Sequence, residues 1–167
     1  MSDKLSIYIT KILKTNNENS GANADALAEI ELLTKYLITK LAQLSNYLLR
    51  DSGRQTLNQH EVRGATQLLT HDAEFTSTSL NTQKENITLA LPRVRRILTS
   101  NLVVHRISGK AVVATAAVVE ALINQLLTKS VEYSKLDKKV RISPHNIRHA
   151  VNNDPLLTRV FRGVVLV

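Results

Sequence analysis

The sequence predicts an all-α protein that contains two copies of one helical unit. Hydrophobic residues form 43% of the 167 residues, with five Gly, three Pro and no Trp, a composition that favours helical globular proteins. Apolar side chains recur every three or four positions in two long stretches, as on one face of a helix. Each long stretch lies between two short helical patterns, and His60 and His145 occupy equivalent places in the two copies.

The first copy is predicted from three signals. Apolar residues between positions 7 and 13 indicate a short helix, and the stripe from Leu27 to Leu48 indicates one long helix with a single buried face. Asn58 followed by Glu61 is typical of a capping box, in which the two side chains accept hydrogen bonds from each other's backbone amides. A second short helix is therefore expected after Asn58.

The second copy repeats this order. Pro92 opens a short helix, Gly109 precedes a long apolar stripe, and Ser143 with Pro144 is a favourable helix start. Between the copies, residues 71–91 carry enough apolar side chains to predict an additional helix instead of a floppy linker. A last short helix is expected to begin at Asp154.

One long helix with an apolar stripe cannot bury that stripe alone, so each copy needs a partner. Pairing within the chain is the economical solution. An ordinary bundle of four to six helices remains an alternative from the pattern alone.

Charge is concentrated in the second half. The net charge is +8, with nine basic and ten acidic residues in 1–91 and thirteen basic and four acidic residues in 92–167. A basic domain attracts polyanions, of which nucleic acid is the first candidate. The absence of Cys excludes disulfides and Cys-ligated zinc. No apolar run approaches the roughly 20 residues of a membrane helix, so no membrane partner is expected.

No motif for catalysis is present. The sequence lacks a Gly-rich phosphate loop, a nucleophile elbow and a paired-carboxylate motif. His145 and His149 have a spacing that can ligate a metal, but no suitable third ligand is near in sequence, which favours a structural pair. We therefore expect no enzyme, cofactor, metal or small-molecule substrate.

Two stretches resemble core histones. Residues 20–70, with Arg54-Gln55-Thr56-Leu57, align without a gap with histone 2B, and residues 93–167 align with histone 2A. The identities in the second stretch lie where that family touches DNA or turns the chain: Arg93-Val94, Arg96, Arg106, Glu120, Lys138-Lys139, Arg141-Ile142, Pro144 and Asn153-Asp154. Fused histones of this kind resemble the doublets of giant DNA viruses.

The resemblance implies two histone folds in one chain that form an intramolecular handshake, a pseudo-heterodimer. The expected parts are a histone 2B-like fold at 1–72, an additional helix and connector at 73–91, and a histone 2A-like fold at 92–167. The implied function is to bind and wrap double-stranded DNA, largely without sequence specificity. The implied partner is of the histone 3 and 4 type, either as separate chains or as another fused doublet.

Nucleosome-like particles that package a viral genome are the expected product, in the host nucleus or in the viral factory and virion. A histone-fold heterodimerisation module of a transcription or assembly complex is the alternative, which the near-neutral first half keeps open.

The resemblance also implies three DNA-contact regions. One edge would combine Arg54 and Thr56 with Arg106, Ser108 and Lys110. The other would combine Gly21 and Ala22 with Lys138, Lys139 and Arg141, and a centre would combine Lys11 and Lys14 with Arg93 and Arg96. In the family an acid braces the loop arginine, as Glu61 would brace Arg54, whereas Asn146 stands at the matching place opposite Lys139.

Several family features differ in this chain. Of the acidic face that nucleosome-binding proteins grip, only Glu120 and Asp154 are expected to persist, because acids are replaced at Gln125, Thr128, Pro155 and Leu156. Asp25 replaces a lysine in the first loop. The basic tails and the docking segment of the family have no counterpart in these residues, so weaker docking and no tail-mediated regulation are expected.

Overall fold

The structure is a computed structural model that describes residues 4–164. Within these residues the chain forms eight α-helices, four two-residue β-strands and one 3-10 turn at Lys84–Asn86. In chain order the helices and strands are α1 (Ser6–Asn16), β1 (Gly21–Ala22), α2 (Ala24–Ser52), β2 (Thr56–Leu57), α3 (Gln59–Thr70), α4 (Ala73–Leu80), α5 (Leu91–Asn101), β3 (Arg106–Ile107), α6 (Gly109–Leu136), β4 (Arg141–Ile142), α7 (Pro144–Asn153) and α8 (Pro155–Val160).

Helix starts follow the capping signals of the sequence. Asn58 and Glu61 form a complete capping box at α3, and Ser143 caps α7 with Pro144 at the first helical position. The Asp154 side chain accepts a hydrogen bond from the Leu157 amide and so caps α8. The short, long, short helix order is confirmed in both copies, and α4 is the predicted additional helix.

The chain divides into two compact units, and neither coincides with one half of the sequence. The first unit contains Met1–Thr34 and Ala121–Val167, and the second contains Lys35–Glu120. Both long helices contribute residues to both units. Each unit therefore contains segments from both predicted repeats.

Each unit has an apolar core that the sequence stripes predict. In the first unit Ile9, Ile30, Leu126 and Ile147 are fully buried, and in the second unit Leu37, Leu57, Val94 and Val119 are fully buried, among others. Burial of such side chains stabilises each unit by about 1.5–3 kcal/mol per residue.

Short parallel strand pairs are the feature that the sequence did not predict. In the first unit β1 pairs with β4, and in the second unit β2 pairs with β3, both in parallel. Two residues are too few to show an alternating pattern, and the partners are distant in sequence, so only tertiary folding creates these pairs.

Candidate nucleic-acid interface

The strand pair of the second unit brings together one set of predicted DNA-contact residues. Thr56 lies opposite Arg106, and the Ser108 amide donates to the Leu57 carbonyl at 3.0 Å. We call Arg54, Thr56, Arg106, Ser108 and Lys110 the first edge. The structure places all five in the second unit, at β2, at β3 and in the residues that flank these strands.

Glu61 positions the arginine of the first edge. The Arg54 guanidinium donates to Glu61 Oε1 at 3.3 Å, while Glu61 Oε2 accepts from the Asn58 amide at 3.0 Å. The Glu61 side chain is 2% exposed and that of Arg54 is 52% exposed. A buried carboxylate thus holds the guanidinium of a half-exposed arginine, as the seven-residue spacing predicts.

The start of α6 presents the rest of the first edge. The Ser108 hydroxyl accepts from the Ala111 amide at 3.1 Å, which caps the helix and orients its first turn. Arg106 and Lys110 are exposed, and no ion pair in the described part of the chain holds either side chain. Both cations are therefore available to an anion.

Arg95 is a residue of this region that sequence reasoning missed. Its guanidinium donates to the Ile107 carbonyl at 3.2 Å, which places it beside the first edge. The triplet Arg93, Arg95, Arg96 could have suggested it, because one of three nearby arginines must point away from the other two on a helix.

The strand pair of the first unit brings together a second set. The Gly21 amide donates to the Val140 carbonyl at 3.4 Å, and the Asn23 amide donates to the Ile142 carbonyl at 3.1 Å. We call Gly21, Ala22, Lys138, Lys139 and Arg141 the second edge. The three cations are exposed. The Arg141 side chain lies over Gly21, since a Cβ at Gly21 would be 3.6 Å from Arg141 Nε.

The backbone of Lys138 sharply terminates α6. Lys138 has φ of +57°, in the left-handed region that favours glycine. Its amide donates to the Lys135 carbonyl, and the Lys139 amide donates to the Ser134 carbonyl, both at 2.9 Å. These bonds satisfy carbonyls at the end of the helix and lead the chain directly into β4.

The second edge has no acid in the position that Glu61 occupies in the first. Asn146 is fully buried, accepts from the Ser143 amide at 2.9 Å and donates to Asp137 Oδ2 at 2.9 Å. Asn146 therefore links the start of α7 to Asp137, in the loop that carries Lys138 and Lys139. The resemblance had placed Asn146 opposite Lys139.

The predicted central set is divided between the two units. Lys11 and Lys14 are exposed on α1 of the first unit, where Lys11 Nζ lies 5.7 Å from the centre of the Tyr8 ring. Arg93 and Arg96 are partly buried on α5 of the second unit.

Both carboxylates assigned to a residual acidic face are used inside the fold. Glu120 Oε1 accepts from the Thr88 and Leu89 amides at 2.7 and 2.9 Å. Burial raises the pKa of Glu120, and the two amides partly oppose this shift. Asp154 is 9% exposed, caps α8 and accepts from Gln125 Nε2 at 3.0 Å. Glu120 is partly exposed and Asp154 is largely buried, and their place on a residual acidic face stays a prediction.

His145 and His149 lie together on α7 with ring centres 4.3 Å apart. Tyr133 packs near His149 at 5.4 Å. Residues 4–164 contain no group of three His, Cys, Asp or Glu side chains that could hold a metal ion. The arrangement is that of a small aromatic cluster.

Helix α6 corrects one expectation from the sequence. It is long and apolar enough to cross a membrane by length and composition, with a mean hydropathy of 1.7 over 18 residues. However, 67% of that stretch is buried within the structure, as in the core helix of a globular protein. Small residues such as Ala114, Ala116 and Ala117 allow this helix to be buried along much of its length.

Comparison with known proteins gives matches to histones. A family model for the core histone domain, which spans histones 2A, 2B, 3 and 4, matches residues 72–153. Histone macroH2A1.1 of Capsaspora owczarzaki is 38% identical over 80 residues, which are 47% of this chain and 22% of the relative. Histone H2AX of Dictyostelium discoideum is 34% identical over 83 residues, 50% of this chain and 54% of the relative. The chain thus covers less than two thirds of both relatives.

A solved structure with a similar fold is that of the histone from Methanopyrus kandleri. The TM-score is 0.66 at 19% identity, and the match covers 89% of this chain and 93% of the other. At this identity the likeness establishes the fold. The chain therefore has a histone fold, and residues 72–153 are similar to the core histone domain.

Proposed function

We propose that the chain is a fused histone doublet, with a histone 2B-like fold at 1–72 and a histone 2A-like fold at 92–167. It binds and wraps DNA largely without sequence specificity. Arginines at its loops enter a narrowed minor groove, while amides at helix starts hold phosphates, a mode for which histones themselves are the standard example.

The observation that carries this proposal is the composition of the two edges. In both, residues of the first repeat pair with residues of the second: Thr56 with Arg106, and Gly21 with Arg141. Each edge combines parallel strand backbone with exposed cations, so an edge is incomplete without both repeats. The structural match to the Methanopyrus kandleri histone supports the same proposal. It covers 89% of this chain, and so includes most of the residues before position 72, where the family match begins.

The proposed assembly is a nucleosome-like particle that contains a histone 3 and 4 type partner. This partner, and the packaging of a giant-virus genome in the nucleus, viral factory or virion, rest on the resemblance of the two stretches to histones 2B and 2A.

Reconstitution on long DNA tests the proposal. The chain is assembled with and without a histone 3 and 4 type partner and digested with nuclease. We expect fragments of discrete size only when both components are present. Salt titration should show log affinity falling against log salt with a slope of about −5, for about six neutralised phosphates. A salt-insensitive or strongly sequence-specific interaction would refute wrapping.

The matched control is a charge change outside both edges. Arg106→Ala should reduce the salt slope by about one. Arg63→Ala, an exposed arginine on α3, should leave it unchanged. Equal effects of the two substitutions would show that net charge, and not the first edge, controls binding.

A heterodimerisation module is the second candidate, and the near-neutral first half favours it. Residues 1–91 contain nine basic and ten acidic residues, which is little charge for wrapping. This function predicts that long DNA gains almost no nuclease protection from the chain, even with histone partners present.

A further inference from the structure

Two histidines on α7 have no role in the edges described above. His145 and His149 are both exposed, and their ring centres lie 4.3 Å apart. Residues four apart on a helix lie on the same face, one turn from each other. The two imidazoles can therefore reach one ligand from the same side of α7, as in helices where two histidines at this spacing bind a metal ion.

Packing alone does not account for this pair. Histidines with a purely structural role are usually buried and hydrogen-bonded, and both of these side chains are exposed. In the described part of the chain no hydrogen bond or ion pair involves either imidazole, because the bond at His149 is accepted by its backbone carbonyl from Asn153 Nδ2. A neutral imidazole has one nitrogen lone pair, so each ring keeps a donor atom for an outside ligand.

Helix α7 holds the pair in a fixed arrangement. Pro144 is at the first helical position, and the capping box of Ser143 and Asn146 closes the first turn. The Tyr133 ring of α6 lies 5.4 Å from the His149 ring and restricts its rotation. A pair that is already ordered loses less conformational entropy on binding than two independent side chains.

The cation nearest to the pair in sequence is compensated. Arg148 precedes His149, and its guanidinium donates to Glu29 Oε1 at 3.1 Å. This ion pair is partly buried, with side-chain exposures of 36% for Arg148 and 18% for Glu29. The arginine charge therefore opposes a cation at the histidines less than an unpaired arginine would.

The first repeat has one imidazole where the second has two. His60 on α3 occupies the place of His145, and Gly64 occupies the place of His149. A second ligand on the same helix acts at a high effective concentration, so a pair binds an ion more tightly than a single imidazole. The two repeats therefore provide a matched comparison within one chain.

We propose that His145 and His149 bind one divalent transition-metal ion per chain and that this ion clamps the first two turns of α7. No group of three His, Cys, Asp or Glu side chains is present among residues 4–164, so water completes the coordination. Imidazole nitrogens suit Zn²⁺, Ni²⁺ and Cu²⁺, whereas Mg²⁺ and Ca²⁺ take oxygen ligands. The site does not depend on the proposed DNA-binding function.

Isothermal titration calorimetry of the untagged full chain with Ni²⁺ tests the site. We expect one ion per chain, bound at least about tenfold more weakly by His145→Gln and by His149→Gln. Both positions are exposed, so neither substitution should unfold the chain. His60→Gln is the matched control, because His60 is an exposed single imidazole, and it should change the affinity less than about twofold.

Nuclear magnetic resonance of the ring nitrogens with Zn²⁺ locates the ligands. The signals of His145 and His149 should shift, whereas those of His60, His71 and His105 should stay in place. Zn²⁺ should also raise the midpoint of urea unfolding of the wild type more than that of His149→Gln.

Three results would overturn the proposal. The first is an equal loss of Ni²⁺ affinity in His60→Gln and His149→Gln. The second is a set of Zn²⁺-induced shifts spread evenly over all five histidines, which would indicate binding to single imidazoles. The third is one ion per two chains, which would place the site between chains.

Discussion

The Glu61 side chain supports both the start of α3 and the arginine of the first edge. Replacing it with Ala removes the capping-box acceptor at Asn58, which costs about 1 kcal/mol. It also removes the contact with half-exposed Arg54, worth about 0.5 kcal/mol, and a buried CH₂ worth about 0.8 kcal/mol. We expect Glu61→Ala to lower the free energy of unfolding by about 2 kcal/mol.

Urea unfolding followed by far-ultraviolet circular dichroism measures this change as a shift of the midpoint at unchanged slope. Glu61→Gln keeps an oxygen for the Asn58 amide and should cost only about 0.5 kcal/mol, the part assigned to Arg54. Arg54→Ala should match Glu61→Gln within error. If Glu61→Ala cost less than about 0.5 kcal/mol, or Glu61→Gln cost as much as Glu61→Ala, the capping argument would be wrong.

Three further substitutions and one measurement of mass test other features. Because burial raises the pKa of Glu120, its contribution to stability falls as pH rises from the ordinary Glu range through the raised value. Urea unfolding across pH should therefore show Glu120→Gln gaining on the wild type over that window, and a constant difference would contradict this. A Cβ at Gly64 would lie 2.8 Å from Leu48 Cδ1, the end of a partly exposed side chain that can move, so the helix propensity of Ala should make Gly64→Ala stabilising by up to about 1 kcal/mol. A loss of thermal stability would show that Leu48 cannot move aside. Lys138→Gly should stabilise the chain by about 1 kcal/mol by relieving positive φ, yet reduce the DNA salt slope by about one; loss of stability would refute the strain. Light scattering should report a monomer, and a stable homodimer would indicate pairing between chains.

Helix boundaries were predictable because they depend on local chemistry. The capping pairs at Asn58 and Ser143, and the start at Asp154, involve side chains within three residues of the amides that they satisfy. Sequence spacing alone contains this information. The Arg54 and Glu61 contact was predictable for the same reason, with the resemblance to histones giving its role.

The strand pairs and the fate of the acids were not predictable in this way. Thr56 meets Arg106 only because tertiary packing brings two distant loops together. The resemblance to histones placed Glu120 on an acidic face. It did not predict that the connector before α5 would bind this carboxylate. Residues 88 and 89 donate their amides to this carboxylate, and a connector contact leaves no pattern in the sequence of α6.

The two repeats contribute differently to the edges, and their uneven charge follows this division. Of the cations on both edges, the first repeat supplies only Arg54, while the second supplies Arg106, Lys110, Lys138, Lys139 and Arg141. Yet the first repeat supplies one strand of each pair. It also supplies Gly21, and the Arg141 side chain lies over this glycine. In the proposed DNA-binding function a near-neutral repeat is therefore essential, because it orders the loops that carry the charge of its neighbour.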